Sequence, residues 1–330
     1  MNTKIVYVLV SNGHDFYTEQ LYLSLVSLKM HSPESEAYVV VDKGTEKVLR
    51  SLRLDILSYI KEIIVVDVPE KYKGTACSRF LKTSLRKYCS GPYLFVDTDT
   101  IIAEELYAID ELIDKGIHIA AVKDAHCTFR EMPTYQQVVK RFNKVGWSDN
   151  VDDEIHFNSG VMFVADTEES HAFYNRWHQN WLYEQTKGFY FDQLAMARTN
   201  RECGCLIKEI DGVWNFQIWW GVIKYLHNSK IIHYGGYVRQ DMEAYYFRKE
   251  SVLVAIRNSN GLSEETLEHL RNPKAAYVGK VIVLGEDYLM YTRSRLRDEY
   301  MFHPIRFRMY EITAAIIQSL SGKIKRLIMV

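Results

Sequence analysis

The sequence predicts an α/β protein built on a doubly wound, mostly parallel (mixed) sheet with helices on both faces. Three observations carry that expectation. Short apolar runs alternate with helical patterns through the first 125 residues, the order of strand–helix–strand units. The runs suit strands buried on both faces. One of them, Tyr93-Leu94-Phe95-Val96, ends abruptly in Asp97-Thr98-Asp99, at the kind of strand edge where open α/β sheets bind ligands.

Taken in order, the candidate strands of this first part are Ile5–Val10, Ala37–Val41, Ile63–Val68, Tyr93–Val96 and Ile117–Val122. Gly91 and Pro92 punctuate the chain before the fourth. Between the strands, Tyr17–Met30 places Leu21, Leu25 and Leu28 at helical spacing, and Ser78–Tyr88 and Ala103–Asp114 read as further helices. Beyond them, Phe157–Val164 and Leu206–Ile210 read as strands and Thr167–Glu184 as a long aromatic-rich helix. Asp192-Gln193 opens another helix, and Ile231–His233 is a short strand before a glycine turn. Near residue 245 the pattern changes: Asn258–Gly261 and Asn272-Pro273 are loop signals and arginine density rises. The expected division is a main domain over 1–245 and a mainly helical extension over 246–330.

Composition narrows the class. An apolar content of 47% and a charged content of 25% are those of a soluble globular protein. A net charge of −1 gives no electrostatic footing for nucleic acid. Cys77, Cys89, Cys127, Cys203 and Cys205 are odd in number and unpaired in spacing, as expected of reduced structural thiols. The apolar segment after Lys4 is interrupted by His14-Asp15, so it reads as a strand rather than a signal peptide, and no run is long enough to span a bilayer. The expected location is cytoplasmic, with peripheral contact at the inner membrane face.

Asp97 and Asp99 carry the chemistry. Residues two apart on a strand point the same way, about 6–7 Å apart. Two carboxylates turned to one point beyond a sheet edge are costly without a cation between them. Oxygen donors of this kind suit Mg²⁺ or Mn²⁺, which keep positions open for phosphates. His233, in His233-Tyr234-Gly235-Gly236, could bring an imidazole to the same cation, or be a satisfied turn residue. Asn158-Ser159-Gly160 starts a strand where glycine permits close backbone approach. Asp192-Gln193 and Trp214-Asn215 complete the set.

In order and spacing these motifs, over residues 4 to 240, resemble the family 8 retaining glycosyltransferases of the GT-A fold, the group with glycogenin and bacterial lipopolysaccharide sugar transferases. The resemblance implies that Asp97 and Asp99 bind Mn²⁺ and that His233 is the third ligand, with Gly236 and Arg239 standing in the family's H-x-x-G-x-x-K motif. Arg239 replaces the lysine, which keeps a cation near the pyrophosphate with different geometry. Ser11 and Asn12 match the uridine-binding loop, and Tyr17 the base-stacking tyrosine. Arg79 and Lys82 match basic residues near the donor phosphates, and Thr98 sits within the aspartate motif. Asp124, Asn158, Asp192 and Gln193 match residues lining the donor sugar. The implied activity is metal-dependent transfer of a hexose from a nucleotide sugar, UDP-glucose or UDP-galactose, to a glycan or lipid-linked acceptor with retention. The metal, Lys82 and Arg239 would stabilise the departing diphosphate.

Two other readings compete. Asp97-Thr98-Asp99-Thr100 also resembles the haloacid-dehalogenase phosphatase signature, but four candidate strands precede it and no downstream acidic metal motif follows. A non-catalytic sugar-nucleotide-binding protein is the other; both aspartates and His233 speak against it. In the tail, Ile312, Ile316, Leu320, Ile324 and Leu327 fall on one helical face, flanked by Arg306, Arg308, Lys323, Lys325 and Arg326. That pattern suits an anionic membrane surface, or a helix packed on the protein.

Overall fold

The structure is a computed structural model that describes residues 1–330 except 53, 133, 148–155, 221–222, 236–244, 277–302, 304, 311, 314–315 and 317–330. Gly236, Arg239 and the tail from Leu320 onward lie outside the described residues.

The strands are β1 (Lys4–Leu9), β2 (Ala37–Asp42), β3 (Glu62–Val66), β4 (Tyr93–Val96), β5 (Thr100–Ile102), β6 (Ile119–Lys123), β7 (Phe157–Val164), β8 (Ile207–Glu209), β9 (Phe216–Gln217) and β10 (Ile231–His233). Seven of them form one sheet in the order β3-β2-β1-β4-β7-β6-β8. Pairing is parallel except where β7 runs antiparallel between β4 and β6. A second sheet, β5-β10-β9, continues directly from the end of β4 through Asp97-Thr98-Asp99. The expected mixed, doubly wound architecture is the one observed.

The helices are α1 (Tyr17–His31), α2 (Lys43–Ser51), α3 (Thr75–Thr83), α4 (Glu111–Asp114), α5 (Tyr135–Lys144), α6 (Glu168–Thr186), α7 (Asp192–Glu202), α8 (Glu250–Ser259) and α9 (Glu264–Arg271). Alternation along β1 divides the core as a pleated strand must. Ile5, Tyr7 and Leu9 join one apolar cluster with α1, α8 and α9, while Val6 and Val8 join another with α3, α6 and α7. Helix α1 lies between the two sheets, so its polar residues are buried too. Ser24 links Tyr7 of β1 to Thr100 of β5 through hydroxyl contacts of 3.0 Å each.

Two expectations need correction, and one helix was not expected. Ala103–Asp114 is not one helix: Ala103 N–H donates to the Lys230 carbonyl and Leu106 N–H to Ser32 Oγ, so the backbone there is used elsewhere. Only a 3₁₀ turn (Tyr107–Asp110) and α4 follow. The helix expected over Ser78–Tyr88 starts earlier, at Thr75, and stops at Thr83. The Thr83 and Ser84 hydroxyls donate back to the Arg79 and Phe80 carbonyls, the local competition that ends helices. Unexpected α2 starts at Asp42, whose carboxylate caps the Gly44 and Thr45 N–H groups.

The described part of the tail is helical over 305–310, with Ile305, Met309, Ile312 and Ile316 exposed. No helix among the described residues is long and apolar enough to cross a membrane. Among the described residues no disulfide joins any of the five cysteines.

Candidate functional site

The site forms where the two sheets join. β4 is buried throughout, so its chain emerges from the core at Asp97 with its direction fixed. The Asp97 N–H donates to the Gly160 carbonyl on β7 at 2.7 Å, and the Tyr234 N–H to the Asp99 carbonyl at 3.0 Å. Antiparallel pairing sets His233 opposite Thr100, and so beside Asp99. Asp97, Asp99 and His233 each offer one ligand atom, all within 4.8 Å of one another.

That cluster fits a divalent cation. Two carboxylates and an imidazole are a donor set for Mn²⁺ or Mg²⁺ at the oxygen-rich end of the range. Space is also reserved for it: a Cβ added at Gly160 would lie 2.2 Å from His233 Cε1 and 2.8 Å from Asp97 Oδ2. His233 Nδ1 lies 3.1 Å from Asn215 Oδ1, and Nε2 lies 3.2 Å from Asp99 Oδ1.

Charges in the site are tightly balanced. Lys82, with 3% of its side chain exposed, sits 3.2 Å from both Asp97 and Asp192 and 4.7 Å over the Phe95 ring. Arg79 Nε reaches Asp192 Oδ1 at 2.9 Å, and Ser159 Oγ donates to Asp192 Oδ2 at 2.8 Å. Burial pushes the Asp97 carboxyl up, with Asp99 adding to that and Lys82 opposing it. Burial would also raise Asp99, but the charge and hydrogen bond of His233 hold it below the usual range. For Asp192, burial is outweighed by Arg79, Lys82 and Ser159, and its carboxyl is held far below the ordinary value. Burial would lower His233, but Asp99 raises it above its ordinary value.

Deeper in the protein, Asn158 ties the remaining residues together. Its Nδ2 donates to Asp124 Oδ1 at 3.0 Å, and its Oδ1 accepts from the Gly160 N–H and from Asn215 Nδ2, both at 2.9 Å. Gln193 donates to the Phe157 carbonyl at 3.1 Å. Asp124 opens a turn in which Ala125 and His126 both have positive φ, 57° and 53°. Such backbone costs about 1–3 kcal/mol per residue and persists only where neighbours fix it. Gln217 does so: its side chain accepts from the Ala125 N–H at 3.0 Å and donates to the Lys123 carbonyl at 3.0 Å, and its backbone N–H donates to His126 Nε2 at 3.1 Å.

Two cavities flank this network. One, of about 260 Å³, is lined by Tyr17, Gln20, Gly74, Thr75, Ser78 and Arg79 together with Asp97, Thr98 and Asp99. Tyr17 is 45% exposed there. The other, of about 190 Å³, is lined by Asp124 and Gln193 with Arg141, His156, Phe189 and Phe191.

Most sequence-derived site residues are thereby gathered: Asp97, Thr98, Asp99, Tyr17 and Arg79 at the first cavity, Lys82 and Asp192 behind it, Asp124 and Gln193 at the second, and Asn158 and His233 between. Ser11 and Asn12 do not line either cavity. Ser11 Oγ donates to Asp15 Oδ1 and Asn12 Oδ1 accepts from the His14 N–H, so both shape the loop after β1. Gly236 and Arg239 fall outside the described residues. Sequence reasoning noticed Asn215 only as part of a weak motif, and it missed Gln217. Neither has a one-residue signature; Asn215 ends the 3₁₀ turn just before β9 and Gln217 lies on β9, and both become informative only once β9 is placed beside β10.

No protein-family profile and no curated protein matches this chain. Solved structures do. The galactosyltransferase LgtC in complex with donor and acceptor sugar analogs superposes with a TM-score of 0.52 at 16% identity, over 81% of this chain and 99% of that one. An active-site mutant of LgtC gives 0.51 at 16% identity, over 80% and 98%. Mouse xyloside xylosyltransferase 1 in its apo form gives 0.49 at 18% identity, over 71% and 98%. With the sheet order described above, the two LgtC likenesses show that this chain is built on the GT-A glycosyltransferase fold.

Proposed function

We propose that this chain is a metal-dependent retaining glycosyltransferase that moves a hexose from a UDP-sugar, UDP-glucose or UDP-galactose, to a glycan or lipid-linked acceptor. The observation that carries the reading is the convergence of Asp97, Asp99 and His233 at the edge of the cavity lined by Tyr17 and Arg79. The likeness to LgtC, a galactosyltransferase crystallised with donor and acceptor sugar analogs, agrees with it.

In this reading Asp97, Asp99 and His233 hold Mn²⁺ or Mg²⁺, which supplies positive charge for the departing diphosphate. Tyr17 offers its exposed ring to the base. Arg79 and Lys82 keep Asp192 ionised and fixed. The Asp192 and Asp124 carboxylates and the Asn158 amide then face the positive charge that develops on the sugar ring, preorganised by bonds already made. By the motif resemblance alone, Gly236 and Arg239 would add to the phosphate side, while Ser11 and Asn12 hold the nucleoside loop in shape. The exposed Ile305, Met309, Ile312 and Ile316, with Arg306 and Arg308, support peripheral contact with an anionic membrane at the cytoplasmic face.

Release of UDP from UDP-glucose and UDP-galactose, measured with Mn²⁺ and with EDTA, tests the core of this. Turnover should require the metal and should fall by about 10²-fold or more in Asp99→Ala. Equal turnover of that variant in EDTA would sink the metal assignment. NMR of the first-formed product reads the anomeric outcome. Flotation with anionic liposomes should be lost in the full-length Ile312→Glu, Ile316→Glu double variant; unchanged flotation assigns the membrane contact elsewhere.

A further inference from the structure

The second cavity has a chemistry of its own. Phe189 and Phe191, on the turn between α6 and α7, give it aromatic walls, and Phe191 is 54% exposed. Arg141, near the end of α5, places its guanidinium 4.9 Å over the Phe191 ring. Among the described residues no carboxylate pairs with Arg141. At the other side of the cavity stand Asp124 and Gln193, the residues that adjoin the Asp192 and Asn158 network.

We propose that this cavity is the acceptor subsite and that it selects a saccharide carrying an anionic substituent, a carboxylate or a phosphate, bound by Arg141. The inference rests on the glycosyltransferase reading and adds the charge class of the acceptor to it. Aromatic rings match the apolar faces of a pyranose, and a guanidinium presents paired N–H donors that fit an oxyanion. Stacking on Phe191 holds that guanidinium in place, so little side-chain freedom is lost on binding. The charges also set the orientation. Asp124 repels an anion, so the anionic substituent turns to Arg141 and a hydroxyl of the same sugar turns to Asp124 and Gln193, next to the donor. At about 190 Å³ the cavity admits a terminal residue rather than a run of them.

The test uses the full chain with Mn²⁺ and UDP and three probes: methyl glucoside, methyl glucuronide and a phosphorylated methyl glucoside. Affinities are read by saturation-transfer NMR for wild type, Arg141→Ala and Arg141→Lys, each checked for an unchanged melting temperature. One anionic probe or both should bind about tenfold more tightly than the neutral one, the gain expected of a charge-assisted pair. The advantage should vanish in Arg141→Ala and survive in part in Arg141→Lys. Whichever anion gains identifies the group. Absence of an anion advantage, whether the probes bind alike or not at all, overturns the proposal, as does an advantage that persists in Arg141→Ala. Release of UDP from UDP-glucose and UDP-galactose by the wild type with Mn²⁺, measured separately, decides the glycosyltransferase reading, so the two failures are distinct.

Discussion

Asn215 Oδ1 lies 3.1 Å from His233 Nδ1, and that contact decides which imidazole nitrogen faces the two aspartates. The Asn215 amide cannot turn over freely, because its Nδ2 donates to Asn158 Oδ1. Asn158 is fixed in turn by the Gly160 N–H on the same oxygen and by Asp124 on its nitrogen. The Nδ1–H therefore donates to Asn215, and Nε2 is presented toward Asp99. Residues that orient a ligating histidine in this way typically contribute 10–100-fold to metal affinity. Asn215→Ala should weaken Mn²⁺ binding by about that factor while the protein still folds. Isothermal titration with Mn²⁺ checks it, and an unchanged affinity would show that His233 is oriented by something else.

Gly160 tests the space for the cation. An alanine there brings its methyl within 2.2 Å of His233 Cε1 and 2.7 Å of His233 Nδ1. Because His233 and Asp97 are both constrained, one must move. Overpacking of this kind costs about 1–3 kcal/mol. Gly160→Ala should lower the midpoint of urea unfolding and also abolish Mn²⁺-dependent stabilisation. A variant that loses stability but keeps its full response to Mn²⁺ would place the cation away from His233.

Lys82 holds two buried carboxylates at once, 3.2 Å from each of Asp97 and Asp192. Removing one partner of a buried pair leaves uncompensated charge, a loss of about 3–5 kcal/mol. Arg79 remains on Asp192, so Lys82→Met should fall at the lower end of that range. The pH dependence follows from Asp192, whose folded-state carboxyl lies below its ordinary value. Its pairing stabilises the fold above the ordinary carboxylate range and is lost as pH falls. The deficit of Lys82→Met relative to wild type should therefore hold down to about pH 4 and shrink only below the ordinary carboxylate value of 3.8, as read by denaturant melts at pH 7 and at about pH 2.5.

Tyr17 is the residue that distinguishes nucleotide binding from metal binding. Its ring is 45% exposed at the mouth of the larger cavity, at the first turn of α1. An aromatic contact with a base contributes about 0.5–1.5 kcal/mol beyond its buried area. Tyr17→Ala should weaken UDP by roughly tenfold and leave the Mn²⁺ affinity without nucleotide unchanged. Equal UDP affinities would remove the stacking role.

How far the sequence exposed this arrangement depends on which interactions are local. β1, β2, β4, β6 and β7 of the large sheet were legible because they are buried on both faces and therefore largely continuous apolar runs. Asp97 and Asp99 were legible because they end such a run. β5 and β9 were not, being three and two residues long. β5 depends on β10 arriving more than a hundred residues later, and β9 on β10 returning beside it, pairings that no local pattern encodes. Helix α5, which brings Arg141 to the second cavity, was also missed, although Val138 and Phe142 mark one buried face at helical spacing. The loop after β1 shows the opposite error. Ser11 and Asn12 sit at the right strand end, but their side chains are used by Asp15 and by the backbone of the turn.

Glu184 offers a test of the scaffold that leaves the metal cluster alone. It lies in the last turn of α6, fully buried, and neither carboxylate oxygen has a hydrogen-bond partner among the described residues. Burial raises its carboxyl from 4.5 to about 8, with Arg198 opposing the shift and Asp192 and Glu202 adding to it. A folded-state value above the unfolded one means the native protein holds a proton that the unfolded chain releases. Its contribution is thus fully present below about pH 4.5 and declines as pH rises to about 8. Ionisation over that window would cost on the order of 3–5 kcal/mol. Glu184→Gln keeps the shape of the protonated acid and cannot ionise. At pH 5 the variant and wild type should melt within a degree or two of each other, and at pH 8.5 the variant should melt higher by several degrees, about what such an energy implies for a chain of this size. Parallel stability curves for the two proteins from pH 5 to 8.5 would mean that Glu184 is ionised and paired throughout, and that the end of α6 is held by a cation near it.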